Sequence, residues 1–129
     1  MNEIQSYRDL KVWQMGIAIA KESYKLTKTF PREELFAITN QIRRAATSVP
    51  ANIAEGYGRD SRGEYMQFLR YAQGSLKELE THFIISEEVG IIPKGHANAV
   101  LQLCDEQGRM LRTLIRSLRE WEQPVADRQ

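Results

Sequence analysis

The chain has 129 residues, 42% of them hydrophobic and 27% charged, with a formal net charge of +1; this is one domain with an ordinary balance of core and surface. Its lone cysteine, Cys104, excludes an internal disulfide and a cysteine-based zinc site, and no window reaches the ~20 apolar residues of a membrane span. The near-neutral balance also excludes the large basic excess of a typical monomeric nucleic-acid binder.

The charge is unevenly spread: residues 1–30 carry five basic groups against three acidic, whereas residues 64–90 carry two against five. The opening MNEIQSYRDLKVW is polar and lacks an apolar leader core, so a cytoplasmic location is expected.

In chain order, four stretches place apolar residues at three- and four-residue intervals, the mark of amphipathic helices. The first runs from about Tyr7 to Thr29, with the stripe Leu10, Trp13, Ile17, Ala20 and Tyr24, and stops at Phe30-Pro31. The second starts near Arg32, where Glu33 and Glu34 suit the positive end of the helix dipole. Its stripe is Leu35, Ile38, Ile42, Ala46, Val49 and Ile53, and Pro50 should kink the helix or force a restart.

Ser61 is placed to cap the third helix, with Glu64 completing a capping box. The stripe there is Tyr65, Phe68, Ala72, Leu76, Leu79 and Phe83, ending at Gly90 as C-cap. After Pro93 the fourth helix presents Val100, Leu103, Gln107, Leu111, Leu114, Leu118 and Trp121. No stretch alternates, so strands are not expected. Short connections make consecutive helices antiparallel neighbours, giving an all-α, up-down-up-down four-helix bundle over residues 1–123 with a frayed tail at 124–129.

Bulky residues also lie off the main stripes: Val12, Met15 and Ile19 in the first helix, and Met66, Leu69, Ile84 and Ile85 in the third. Such wide apolar coverage suggests burial on two sides and hence a homo-oligomer.

Catalytic readings fail on geometry. A di-iron bundle needs Glu-x-x-His pairs, but neither His82 nor His96 has a glutamate three residues before it. Glu78 and His82 share a face at i,i+4, a spacing more common in surface contacts than in metal sites. Ribonucleases of the HEPN class set an arginine four to six residues before a histidine, and neither histidine here has one. Cys104 beside the fourth stripe reads as a packed thiol. No enzyme activity, metal or cofactor is expected.

What remains is arginine. Arg109, Arg112, Arg116 and Arg119 step by 3, 4, 3 along one face of the fourth helix, opposite the apolar stripe. Forked guanidinium groups in such a row suit phosphate, unless acids such as Asp105 or Glu120 neutralise them. On the second helix Gln41, Arg44, Ser48, Asn52, Glu55 and Arg59 form a polar seam with Arg43 beside it. Small residues surround the seam: Ala45, Ala46, Ala51, Ala54 and Gly56.

Gln41, Ser48, Pro50, Asn52, Ala54, Glu55 and Gly56 are therefore candidates for an oligomer interface or structural seam. Arg43, Arg44, Arg59 and Arg62, with the fourth-helix row, are candidates for nucleic-acid contact. Gly56 and Gly58 do not make a phosphate loop, because they follow a helix rather than a strand and no lysine accompanies them.

The runs QIRRAATSVPANIAEGYGR (Gln41–Arg59) and FLRYAQGSLKELET (Phe68–Thr81) carry a resemblance across the chain. With Asp9-Leu10, Val12-Trp13, Phe30-Pro31 and Gly90-Ile91, they resemble the bacterial four-helix-bundle family of proteins encoded within 23S ribosomal RNA intervening sequences. The accessory variability protein of diversity-generating retroelements is similar to that family. The resemblance implies a ring-like homopentamer without known catalysis. For the retroelement relative it implies a basic surface engaging RNA or DNA and a reverse transcriptase. Repetition around a ring would multiply each arginine and give a near-neutral protomer a basic rim. The expectation is an oligomer that binds nucleic acid without reading bases; the alternative is a protein–protein scaffold or accessory subunit.

Overall fold

Helices form in the four expected places, but two of them begin later than the periodicity predicts. The structure is a computed structural model that describes residues 3–122; the tail expected to fray at 124–129 lies outside the described residues. The helices are α1 (Lys11–Thr27), α2 (Asn40–Tyr57), α3 (Arg62–Glu88) and α4 (Asn98–Glu122). Each packs on the next and α4 closes on α1, which makes an all-α four-helix bundle.

Local chemistry sets most of the boundaries. Ahead of α1, Tyr7–Asp9 form a 3-10 turn: the Ser6 hydroxyl accepts from the Arg8 N–H, and the Asp9 carboxylate accepts from the Ser6 N–H. Leu10 is then extended (φ −73°, ψ 125°), so the regular helix starts only at Lys11. Ahead of α2, a 3-10 turn at Arg32–Glu34 runs into a wide π turn at Leu35–Thr39, with Ala37 off helical geometry (φ −119°, ψ −111°). This irregularity before α2 was not expected, and Phe36 within it is 91% exposed.

At the start of α3 the Ser61 hydroxyl accepts from the Glu64 N–H at 3.1 Å. The box is only half formed, because the Glu64 carboxylate takes the Ser61 hydroxyl rather than its backbone N–H. At the far end Gly90 adopts φ 81°. The Ile91 N–H reaches the Ser86 carbonyl and the Gly90 N–H that of Glu87, a Schellman closure that requires a left-handed residue. The Glu87 carboxylate then accepts from the Ala97 N–H at 2.8 Å and ties the end of α3 to the approach of α4.

Contacts between helices fix direction and register. Ser48 meets Ser75 and Gly56 lies against Phe68, so α2 and α3 run antiparallel. Gly108 faces Leu76 and Arg62 covers Trp121, so α3 and α4 do likewise. Ile19, Ile42, Ile53, Leu69, Leu76, Leu79, Phe83 and Leu111 form the fully buried centre.

The buried face of α1 is Val12, Gly16, Ile19, Ser23 and Thr27, flanked by Trp13 and Ile17. The expected stripe is thus the shoulder of the face, and the off-stripe Val12 and Ile19 lie at its centre. Met66 and Leu69 of α3 are buried in the protomer as well. The case for two-sided burial therefore contracts to Ile84 and Ile85, which are 49% and 42% exposed.

Pro50 neither breaks nor restarts α2. Its ring is buried against Gly16, where an added Cβ would sit 3.1 Å from the Pro50 Cβ. Gly16, the one glycine of α1, leaves the space that the ring occupies. Gln107 is also fully buried: its amide donates to the Val12 carbonyl at 3.0 Å and stitches α4 to α1, while its own oxygen has no partner among the described residues.

Candidate nucleic-acid interface

The polar seam of α2 is partly an internal joint. Asn52 Nδ2 donates to the Ser48 carbonyl and to Ser48 Oγ, both at 2.9 Å, and Ser48 Oγ pairs with Ser75 Oγ of α3 at 2.8 Å. A neutral side-chain chain of this kind satisfies groups between two helices and pins their register. The Asn52 amide serves Ser48 rather than the Ala46 carbonyl that Pro50 leaves without its usual donor.

Pro50 and Gly56 are buried inside the protomer, so for these two the seam is structural and not an interface. Pro50 fills the space left by Gly16 of α1, and Gly56 admits α3: a Cβ at Gly56 would lie 2.7 Å from the Phe68 Cβ. Gln41 and Glu55 are exposed, and Ala54 is half-buried.

The arginines divide into two groups. On the α2 side three are held by the fold. Arg43 Nε donates to Thr27 Oγ1 at 3.0 Å, and its guanidinium covers the Tyr24 ring at 4.8 Å. Arg59 pairs with Glu55 at 3.2 Å and Glu64 at 3.7 Å, and lies 4.7 Å above the Phe68 ring. Arg62 covers the Trp121 ring at 5.2 Å. Among the described residues Arg44 makes no such contact, and it lines a polar groove of about 710 Å³ between α2 and α3, with Gln41, Ser48, Ser75, Glu78 and His82.

Arg109, Arg112, Arg116 and Arg119 are all exposed along α4. Among the described residues none of the four makes an ion pair, with Asp105, Glu120 or any other acid. Arg112 also lines a groove between α3 and α4 with Arg70, Gln73, Gly74, Leu76, Lys77 and Gly108. Sequence reading missed Arg70, Gln73 and Lys77 because the register of α3 against α4 brings them to Arg112. The available signal was a pair of glycines, Gly74 and Gly108, inside helical stretches.

The model of the 23S rRNA-intervening sequence protein family matches residues 8–113. The chain belongs to that family. A crystal structure from Bacteroides thetaiotaomicron VPI-5482, described as a protein of unknown function from the S23 ribosomal protein family, has the same fold. It superposes with a TM-score of 0.75 at 24% identity, over 81% of this chain and 97% of that one. No curated protein matches the sequence.

In this member of the family the pair weighed above for metal or catalysis, Glu78 and His82, is in contact. His82 Nε2 lies 3.3 Å from Glu78 on the same helix, and its Nδ1 is buried without a partner among the described residues. Among the described residues no group of three or more His, Cys, Asp or Glu side chains could hold a metal ion, and no helix is long and apolar enough to cross a membrane.

Cys104 is fully buried. Burial first, then the charges of Glu80 and Asp105 against an opposing Lys77, push its thiol up to about 12. The reactive thiolate is thereby suppressed. Native protein should accordingly resist Ellman's reagent at pH 8 and release one equivalent of chromophore only in denaturant; rapid native labelling would contradict this packing.

Proposed function

We propose that this protein is a non-enzymatic homo-oligomer that binds the phosphate backbone of RNA or DNA through arginines, without base readout. The observation that carries the proposal is the α4 row, whose four guanidinium groups share an exposed face and make no ion pair among the described residues. Guanidinium groups without carboxylate partners are ready to fork onto phosphate oxygens. Arg43, Arg59 and Arg62 contribute less, because each is engaged within its own protomer. Arg44 remains available on the second face. A pentameric ring in the cytoplasm is the assembly that the family resemblance supports, and repetition supplies the basic surface that a protomer of net charge +1 lacks.

A second reading, a scaffold or accessory subunit for a protein such as a reverse transcriptase, draws on the exposed apolar side chains Phe36, Ile84, Ile85 and Val89. One titration separates the two readings. Labelled structured RNA and duplex DNA are titrated at low and moderate salt, with light scattering on the same sample. The proposed function requires binding at low salt that weakens steeply as salt rises, by a species larger than a monomer. Absence of binding at low salt would overturn it in favour of the scaffold.

A further inference from the structure

We propose that the groove between α3 and α4 is where a nucleic-acid phosphodiester seats, with Arg70 and Arg112 as its two clamps. This rests on the reading above and assigns its central contact. The groove is about 410 Å³, and its lining includes Arg70, Lys77 and Arg112 but no acidic residue. That is unusual for α3, since residues 64–90 hold five acids against two bases. Both of those bases line this groove, and none of the five acids does.

Lys77 shares its charge with Glu80 at 3.2 Å, whereas Arg70 and Arg112 make no ion pair among the described residues. The polar groove between α2 and α3 lacks this selectivity, because Glu78 lies opposite in sign to Arg44 in its lining.

The floor is shaped for close approach. Nothing lies within 4 Å of a Cβ placed at Gly74, and one at Gly108 would meet only the Arg112 guanidinium at 3.6 Å and Leu76 at 3.8 Å. Two glycines on facing helices keep the walls low, so a tetrahedral phosphate can descend to the level of the guanidinium groups. Arg112 belongs to both the groove and the α4 row. A strand whose phosphate sits in the groove can therefore continue along Arg116 and Arg119. That continuity fits a polymeric phosphodiester, whose successive charges meet successive arginines.

The test uses fluorescence anisotropy with labelled duplex DNA and labelled RNA across a salt series, on the full chain. Two lost phosphate contacts predict a salt dependence of log K shallower by about 2 on duplex DNA, and affinity down roughly tenfold at moderate salt. Arg70→Ala/Arg112→Ala should show both effects. Gly74→Glu, which keeps both arginines but sets a carboxylate in the open floor, should weaken binding at least as much. Arg70→Lys/Arg112→Lys should retain the steep salt dependence, since charge is kept. A thermal melt no lower than that of the wild type assigns each loss to the groove rather than to folding, and for Gly74→Glu it should rise with helix propensity. Wild-type affinity in the double alanine variant or in Gly74→Glu overturns the groove while leaving the wider function intact; a wild-type protein that binds neither polymer overturns both.

Discussion

Gly56→Val should destabilise the bundle by about 2–3 kcal/mol, a fall of roughly 10 °C in melting temperature for a domain of this length. The new Cβ would lie 2.7 Å from the Phe68 Cβ and 3.1 Å from the Tyr65 ring. The closest of these is a Cβ fixed to the backbone of α3, so no rotamer change relieves the overlap. Either α2 and α3 must separate or the Phe68–Tyr65 turn must shift. Separation would also stretch the Ser48–Ser75 bond, which is 2.8 Å long.

Gly74→Ala supplies the contrast. Space is open around that position, so alanine should only add helix propensity, about 1 kcal/mol of stabilisation. Thermal melts of the two variants should move in opposite directions. A Gly56→Val melt within 2 °C of wild type would mean that α2 and α3 do not pack at this distance.

The same contrast explains what the sequence could and could not disclose. The limits of α3 were legible because their causes are local: Ser61 caps a backbone N–H three residues on, and Gly90 supplies the left-handed turn. The Glu55–Arg59 pair is local in the same way, its two members lying four residues apart on one face of the seam. The face of α1 was not, because Gly16, Ser23 and Thr27 carry no apolar signal and are buried for closeness rather than hydrophobicity. Nor was the unbroken passage of α2 through Pro50, since the contact that accompanies it is Gly16 on another helix.

Among the arginines, the chain pattern alone grouped Arg43 and Arg59 with Arg109 and Arg112. Thr27, Tyr24 and Phe68 separate them, through contacts made across the bundle. Arg70 went unnoticed because its meaning depends on facing Arg112. The family resemblance drew on the long α2 run among others, and at Pro50 and Gly56 that run is shaped by internal packing.

Replacing Arg109, Arg112, Arg116 and Arg119 together by glutamine should reduce nucleic-acid affinity about a hundredfold at moderate salt. It should also flatten the salt dependence by 3–4 in log–log slope, at roughly 0.9 per lost phosphate contact on duplex DNA. Stability should hardly change, because these exposed side chains make no ion pair among the described residues and glutamine is nearly as good a helix former. Net charge falls as well, so a non-specific loss of attraction must be separated from loss of contacts. Neutralising Lys21, Lys25 and Lys28, which are exposed on α1 or just beyond it, removes comparable charge from another face. If binding follows overall charge, both variants weaken it in proportion. If it follows the α4 row, the lysine variant keeps the wild-type slope and only the arginine variant loses it. Equal slopes for all three proteins would remove α4 from the interface and leave the scaffold reading, with its apolar end at Phe36, as the better account.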